Sequence, residues 1–245
     1  MKERHMHMDN RTQERIYAER WQSSSKLFAD NNYYKWMIEK VKPYKTILEL
    51  GCGVGYSTLS LTNDSHMVLA VEKNHECVMM AKDLLYENGR ESEVSFLEGD
   101  IIDETFRNDI IEGQTADVVI CWNPGTQMDI DSLRQYIPFM LEYGLTLEQI
   151  KENPASSYTE MLLWNACKIA KAMNIPIHII DRVGELNESL AEYYKKLGFE
   201  TGFSHVQFDT MEGETVSDGG VPLVSQGILM RAPKIPIYFV SVLFI

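Results

Sequence analysis

The chain has 245 residues, 44% of them apolar, which suits one soluble globular domain with additions. Its formal net charge is −13, from 36 acidic and 23 basic side chains. This balance argues against a nucleic-acid substrate, because such binding depends on basic groups that neutralise phosphates. No apolar run approaches the roughly 20 residues of a membrane span, and the N-terminus lacks the apolar core of a signal peptide.

The cysteines show no pattern of metal binding or cross-linking. Cys52, Cys77, Cys121 and Cys167 are widely spaced and form no Cys-x-x-Cys pair. They therefore give no zinc signature and no disulfide framework, and no metal site is expected. Because most of them fall in or beside apolar segments, we expect buried thiols and a cytoplasmic protein.

Residues 11–42 are predicted to form two helices separated by Ser23–Ser25, with Pro43 ending the second. They precede the first strand, so we divide the chain into a helical extension, 1–44, and a main domain, 45–245. The aromatic cluster of Tyr33, Tyr34 and Trp36 is interpreted mainly as core packing, with a substrate pocket as the alternative.

A strand, a glycine loop and a helix follow at residues 46–60. Thr46–Leu50 is a short apolar run typical of a buried parallel strand. Gly51, Gly53 and Gly55 then alternate before a predicted helix that starts at Tyr56. Such a loop lets a nucleotide approach the backbone, and the amides at the helix start favour a polar ligand group. The dinucleotide-binding motif Gly-x-Gly-x-x-Gly requires its third glycine at position 56, where this chain has Tyr56, so the loop does not match that motif.

The second strand, Met67–Glu72, ends in an acid 21 positions after Gly51. In nucleotide-binding α/β folds an acid about 20 residues on accepts hydrogen bonds from the ribose hydroxyls. Glu72 is therefore the predicted ribose-binding residue. A helix, 74–88, and a third strand, Glu93–Glu98, follow, and the strand closes in Gly99-Asp100-Ile101.

The Glu-x-Gly-x-Gly-x-Gly pattern from Glu49 to Gly55 resembles the first motif of class I S-adenosylmethionine-dependent methyltransferases. The resemblance covers about residues 45–232. It implies that Asp100 contacts the adenine amino group and that Ile101 packs on the adenine ring. The cofactor would be S-adenosyl-L-methionine, bound by the following residues: Glu49, Gly51, Cys52, Gly53, Gly55, Glu72, Asp100, Ile101 and Asn123.

After a short helix, 103–111, the fourth strand, Asp117–Trp122, ends in Asn123-Pro124-Gly125-Thr126. Methyltransferases that act on amino groups of adenine or glutamine carry Asn/Asp-Pro-Pro-aromatic at this point, and only Asn123 and Pro124 match. Asn123 is the predicted catalytic residue, placed to orient the acceptor. His178 and Tyr34 are weaker candidates, and Trp122 is an alternative stacking residue.

The remaining chain predicts an insertion at about 126–155 with two short helices, whose Phe139, Met140 and Tyr143 could shape an acceptor pocket. Beyond it we predict a helix at 157–173, a strand at 175–181, a helix at 184–197 that Gly198 stops, and a strand at 199–208. An acidic, glycine-rich loop at 210–222 and strands at 225–230 and 235–244 complete the chain. One of the last two strands should insert antiparallel beside the sixth.

The predicted fold class is α/β: a Rossmann-like, mostly parallel, seven-stranded sheet with helices on both faces. The predicted function is transfer of a methyl group to an unidentified acceptor, with a small molecule or protein favoured over nucleic acid. A non-catalytic cofactor-binding module and, less well supported, an NAD-dependent oxidoreductase are the alternatives. The acceptor atom, any general base and the oligomeric state, a homo-oligomer included, stay open.

Overall fold

The computed structural model describes residues 10–125, 134–216, 224–225, 228–229 and 234–245. In this part of the chain the helices are α1 Asn10–Asp30, α2 Tyr33–Glu39, α3 Tyr56–Asn63, α4 His75–Glu87, α5 Glu104–Gly113, α6 Ile137–Tyr143, α7 Leu147–Glu152, α8 Pro154–Ala172 and α9 Glu188–Glu200. The strands are β1 Thr46–Leu50, β2 Met67–Glu72, β3 Val94–Glu98, β4 Val118–Trp122, β5 Ile177–Val183, β6 Val206–Val216, β7 Val224–Ser225, β8 Ile228–Leu229 and β9 Lys234–Phe244. None of the described helices is long and apolar enough to cross a membrane.

The predicted fold class is confirmed. Seven strands form one sheet in the order β3-β2-β1-β4-β5-β9-β6, and β7 and β8 pair separately. Strands β1 to β5 are parallel, whereas β9 is antiparallel to both β5 and β6. The C-terminal strand at 235–244 is therefore the one that completes the sheet. Because the order reverses between β1 and β4, their carboxyl ends open a crevice for a ligand.

Two apolar cores lie on opposite faces of the sheet, because successive strand side chains point to opposite sides. Leu48 and Val119 belong to the core under α5, α8 and α9. Ile47 and Ile120 belong to the core under α1, α2 and α3. The insertion packs a smaller core of its own on the first half of α8, around Met140 and Ile150. All four cysteines are buried and free, as expected for core thiols.

Among the predicted boundaries that were wrong, three concern α1, α9 and the sixth strand. The helix α1 runs through the serine stretch, because the hydroxyl of Ser25 donates a hydrogen bond to the carbonyl of Trp21 (2.9 Å) within the helix. The break between the two helices comes at Asn32, which has a left-handed backbone conformation. Gly198 does not stop α9 but lies inside it, where an added Cβ would come within 2.8 Å of the Phe244 ring. It is therefore a packing glycine.

The third wrong boundary is the sixth strand, which begins at Val206 and not at 199. It continues to Val216, so the first half of the predicted acidic loop is strand paired with β9. Residues 217–222 of that loop, the start of the insertion at 126–133, and parts of the predicted strand at 225–230 lie outside the described residues.

Candidate active site

The first turn of α3 is tied to β1 by a buried carboxyl group. Glu49 is 1% exposed. Its two oxygens accept hydrogen bonds from the hydroxyls of Ser57 (2.5 Å) and Thr58 (2.6 Å). Burial raises the pKa of Glu49 to about 7 against the opposing effect of these two hydrogen bonds. The carboxyl of Glu49 therefore holds the start of α3, where the glycine loop ends, against β1.

The glycine loop carries positive φ angles at Gly51, Gly53 and Gly55, a conformation that side-chain-bearing residues rarely adopt. At Gly53 an added Cβ would lie 2.4 Å from Nε1 of Trp21 in α1. At Gly55 it would lie 2.8 Å from the Cβ of Ala81 in α4. The loop is thus held between two helices that approach its backbone closely.

The carboxylate of Glu72 joins the end of β2 to the glycine loop. One oxygen accepts from the backbone N–H of Gly53 (3.0 Å). The other accepts from the N–H groups of Lys73 and Asn74, both at 2.9 Å. Burial raises the pKa of Glu72, and the backbone hydrogen bonds oppose this shift. Glu72 is thereby fixed on the wall of a cavity beside Gly51.

Asp100 lies on the same wall within a polar network. Its Oδ1 accepts from the N–H of Ile102 (2.9 Å), and its Oδ2 accepts from the hydroxyl of Tyr136 (2.5 Å). The ammonium of Lys73 lies 3.8 Å from Oδ2 and donates to the hydroxyls of Tyr158 (2.7 Å) and Tyr136 (3.2 Å). Tyr136 and Tyr158 belong to the insertion and α8, so these elements meet the cavity at its Asp100 end.

Asn123, directly after β4, holds a buried acceptor that has no partner among the described residues. Its backbone has φ 53, in the left-handed region, and its N–H donates to the carbonyl of Ile180 (2.7 Å). The side chain is 7% exposed, and its Oδ1 finds no hydrogen-bond donor in the described part of the chain. Leaving such an atom unpaired costs about 1–3 kcal/mol. Because Asn123 lines the cavity, a ligand can supply the missing donor.

The two weaker candidates for a catalytic role, His178 and Tyr34, are core residues. His178 is fully buried, and Nε1–H of Trp122 donates to its Nδ1 (3.0 Å). The proton of the neutral ring is therefore on Nε2, which donates to Oγ of Ser241 (2.8 Å). Burial lowers the pKa of His178 to about 3, so the imidazole is neutral. Tyr34 packs in the core under α2, and burial raises its pKa.

The helix α1 supplies cavity residues that the sequence did not predict: Gln13, Glu14, Tyr17 and Trp21. The hydroxyl of Tyr17 donates to the carbonyl of Gly125 (3.0 Å), and Nδ2 of Asn74 donates to the carbonyl of Glu14 (3.0 Å). These bonds join α1 to the loops after β4 and β2. The only sequence signal was an amphipathic helix, which does not indicate which end of the sheet it covers.

The cavity at the carboxyl ends of the strands has a volume of about 390 Å³, within the range of small-molecule sites. It brings together six of the predicted residues: Gly51, Gly53, Glu72, Asp100, Ile101 and Asn123. Glu49, Cys52 and Gly55 do not line the cavity. Phe139, Met140 and Tyr143 do not line it either; Phe139 and Tyr143 border a separate surface groove.

A family model described as a methyltransferase domain matches residues 47–141. No curated protein sequence matches the chain significantly. Magnesium protoporphyrin IX methyltransferase from Synechocystis PCC 6803, solved with bound S-adenosylmethionine, is 15% identical with a TM-score of 0.50, covering 97% of this chain and 98% of that one. A candidate RNA methyltransferase from Pyrococcus horikoshii is 16% identical with a TM-score of 0.50, covering 87% and 83%.

The structure of EvdMO1 is 17% identical with a TM-score of 0.49 over 88% of this chain, which spans only 40% of that protein. Likenesses at these identities show the fold alone.

The crevice, the glycine loop and the strand order define a Rossmann-like nucleotide-binding domain. The family model identifies a methyltransferase domain over residues 47–141, and the fold is the Rossmann-like fold of the class I S-adenosylmethionine-dependent methyltransferases. S-adenosylmethionine is accordingly its cofactor. The residues present fit this group, because open backbone at Gly51, a fixed carboxylate at Glu72 and an orphaned acceptor at Asn123 line one cavity.

Proposed function

We propose that this protein is an active enzyme that methylates a small molecule or a protein side chain. The observation that carries the proposal is the unpartnered Oδ1 of Asn123. Among the described residues three buried side-chain atoms lack a hydrogen-bond partner, and only that of Asn123 lines the cavity. An N–H or O–H of the acceptor would satisfy it.

The proposed cofactor site lies on the β1–β3 side of the cavity. Glu72 would bind the ribose hydroxyls, Asp100 and Ile101 the adenine, and Gly51 and Gly53 would allow close approach of the backbone. Glu49, Cys52 and Gly55 would act through the loop, by holding its shape. We retain the division into an extension, 1–44, and a main domain, 45–245, as part of this proposal, with α1 contributing to the cavity.

The bound cofactor supplies a methyl group on a positively charged sulfur, which a nucleophile displaces directly. The protein's contribution is then chiefly orientation and approach distance. Asn123 would accept a hydrogen bond from the acceptor and so aim its lone pair. His178 does not serve as a base, because both ring nitrogens are bonded within the core. The net charge of −13 supports a small molecule or protein over nucleic acid.

Titration with S-adenosylhomocysteine and with NADH tests the cofactor assignment. The first should bind and the second should not, and the reverse would favour the oxidoreductase. Glu72→Gln should weaken S-adenosylhomocysteine roughly tenfold or more, as expected for weakened charge-assisted hydrogen bonds. Glu98→Gln is the matched control, because Glu98 pairs with Glu72 across the sheet yet does not line the cavity. Equal affinity in both variants would refute the ribose role.

Turnover separates an enzyme from a binding module. Incubation with methyl-labelled cofactor and fractions of small molecules, proteins and nucleic acids should label one of the first two. Asn123→Ala should keep its affinity for S-adenosylhomocysteine within a few-fold and lose most of the transfer rate. Transfer at the wild-type rate by this variant, or transfer to nucleic acid alone, would contradict the proposal.

A further inference from the structure

Arg182 places a cation between the sheet and α1. It is the sixth residue of β5 and faces the same side as Ile180, which belongs to the core under α1 and α2. Its guanidinium carbon lies 5.0 Å from the centre of the Trp21 ring and 5.8 Å from that of Phe28. The side chain is thus held against two aromatic rings of α1.

Within the described residues this guanidinium forms no salt bridge, and Asp181 acts on it only through its nearby charge. The adjacent carboxylate, Asp181, faces the other side of the sheet. There its Oδ2 accepts from the hydroxyl of Tyr194 (2.8 Å) and its Oδ1 from the backbone N–H of Arg182 (2.7 Å). Burial lowers the pKa of Arg182, although an arginine remains charged. Half-buried charges are normally paired, and aromatic contacts compensate only in part.

The position of Arg182 relates it to the acceptor side of the cavity. Ile180 accepts the hydrogen bond from the backbone of Asn123, so Arg182 lies two residues further along the neighbouring strand. Arg182 does not itself line the cavity, but Trp21, on which it stacks, does. Asp100 follows β3, at the opposite edge of the parallel strands. Arg182 is therefore on the side away from the proposed adenine position.

We propose that Arg182 binds an anionic group, a carboxylate or a phosphate, of the methyl acceptor. This inference rests on the proposed function and specifies its substrate class. A guanidinium stacked on a ring keeps its N–H edge available, and its fork matches either anion with two parallel hydrogen bonds. In a chain of net charge −13 such a local cation offsets the repulsion of an anionic substrate.

Anion binding to the protein saturated with S-adenosylhomocysteine is the first test. Inorganic phosphate and acetate serve as probes, followed by calorimetry and by tryptophan fluorescence, to which Trp21 should respond. We expect saturable binding of at least one anion, and the preferred anion indicates phosphate or carboxylate. Arg182→Gln should weaken that binding roughly tenfold or more. The control Arg90→Gln should leave it unchanged, since Arg90 is paired with Glu93 away from the cavity.

Absence of saturable anion binding in the wild type, or equal binding in Arg182→Gln, would overturn the proposal. If Arg182→Gln does not fold, Arg182→Lys serves as the test variant, because lysine keeps the positive charge but lacks the two parallel N–H groups of the guanidinium. It should bind several-fold more weakly, and unchanged affinity would count against the fork. S-adenosylhomocysteine affinity distinguishes the two failures: its loss in the wild type refutes the proposed function, whereas its presence without anion binding refutes only the role of Arg182.

A second readout uses matched acceptors in the labelled-methyl assay. Each carboxylic acid or phosphate monoester is paired with its neutral amide or alcohol. The anionic member should have the higher kcat/KM, and Arg182→Gln should remove this preference. A preference for the neutral member in the wild type would contradict the proposal.

Discussion

Replacement of Glu49 by glutamine should change how the stability of the protein depends on pH. Glu49 is buried beneath the glycine loop, and its only bonded partners in the described chain are the hydroxyls of Ser57 and Thr58. No cation compensates its charge there. Burial therefore raises its pKa from the ordinary 4.5 to about 7.

The size and sign of the effect follow from this shift. Moving the pKa from 4.5 to about 7 corresponds to about 3 kcal/mol, at about 1.4 kcal/mol for each pH unit. The folded protein holds the proton more tightly than the unfolded chain does. The contribution of the neutral carboxyl to the free energy of unfolding is therefore fully present below about pH 4.5 and is lost as the pH rises through about 7.

Urea unfolding at a series of pH values measures this contribution. Between about pH 5 and about pH 8 the stability of Glu49→Gln should rise by about 2–3 kcal/mol relative to the wild type, because glutamine does not titrate. Glu112→Gln, at an exposed position on α5, should follow the wild-type curve. Parallel curves for Glu49→Gln and the wild type would refute a buried, neutralised carboxyl at this position.

Two further predictions concern the packing around the cavity. Gly55→Ala should lower the free energy of unfolding by about 1–3 kcal/mol, because its Cβ would meet the backbone of Ala81 at 2.9 Å with φ +88. The control Gly113→Ala, with open space around its Cβ, should be close to neutral in the same thermal melts. Tyr136→Phe should cost about 1–2 kcal/mol through loss of the hydrogen bond to Asp100. Tyr143→Phe, whose bond to Glu160 is 3.4 Å long, should cost less in urea unfolding, and the opposite order would contradict this reasoning.

The parallel half of the sheet was predictable because strands that are buried on both faces have short, continuous apolar sequences. Thr46–Leu50 and Met67–Glu72 match the structure residue for residue. The ends of helices were harder to predict where they depend on the contacts that a side chain makes in the folded protein. A serine hydroxyl can disrupt a helix by competing for backbone hydrogen bonds, but the hydroxyl of Ser25 donates to the carbonyl of Trp21 within the helix. Gly198 would end one, but it is required for contact with Phe244, 46 positions later.

The cavity could be predicted only on its β1–β4 side, where residues follow strand ends at regular spacings. The contributions of Trp21 and Tyr136 depend on how α1 and the insertion pack over the sheet. No local pattern encodes that packing. Lys73 next to Glu72 gave no signal of its own, although it connects two tyrosines to Asp100.

The placement of β9 inside the sheet has a consequence for the order of synthesis. Among the described strands, β6 pairs along its whole length, Val206–Val216, only with β9, and β9 is also the outer neighbour of β5. Until residues 234–244 have emerged from the ribosome, both strands present open rows of N–H and C=O groups. A chain truncated before residue 234 would keep the glycine loop and Asn123. It would nevertheless expose unpaired strand edges at β5 and β6, which are prone to aggregation.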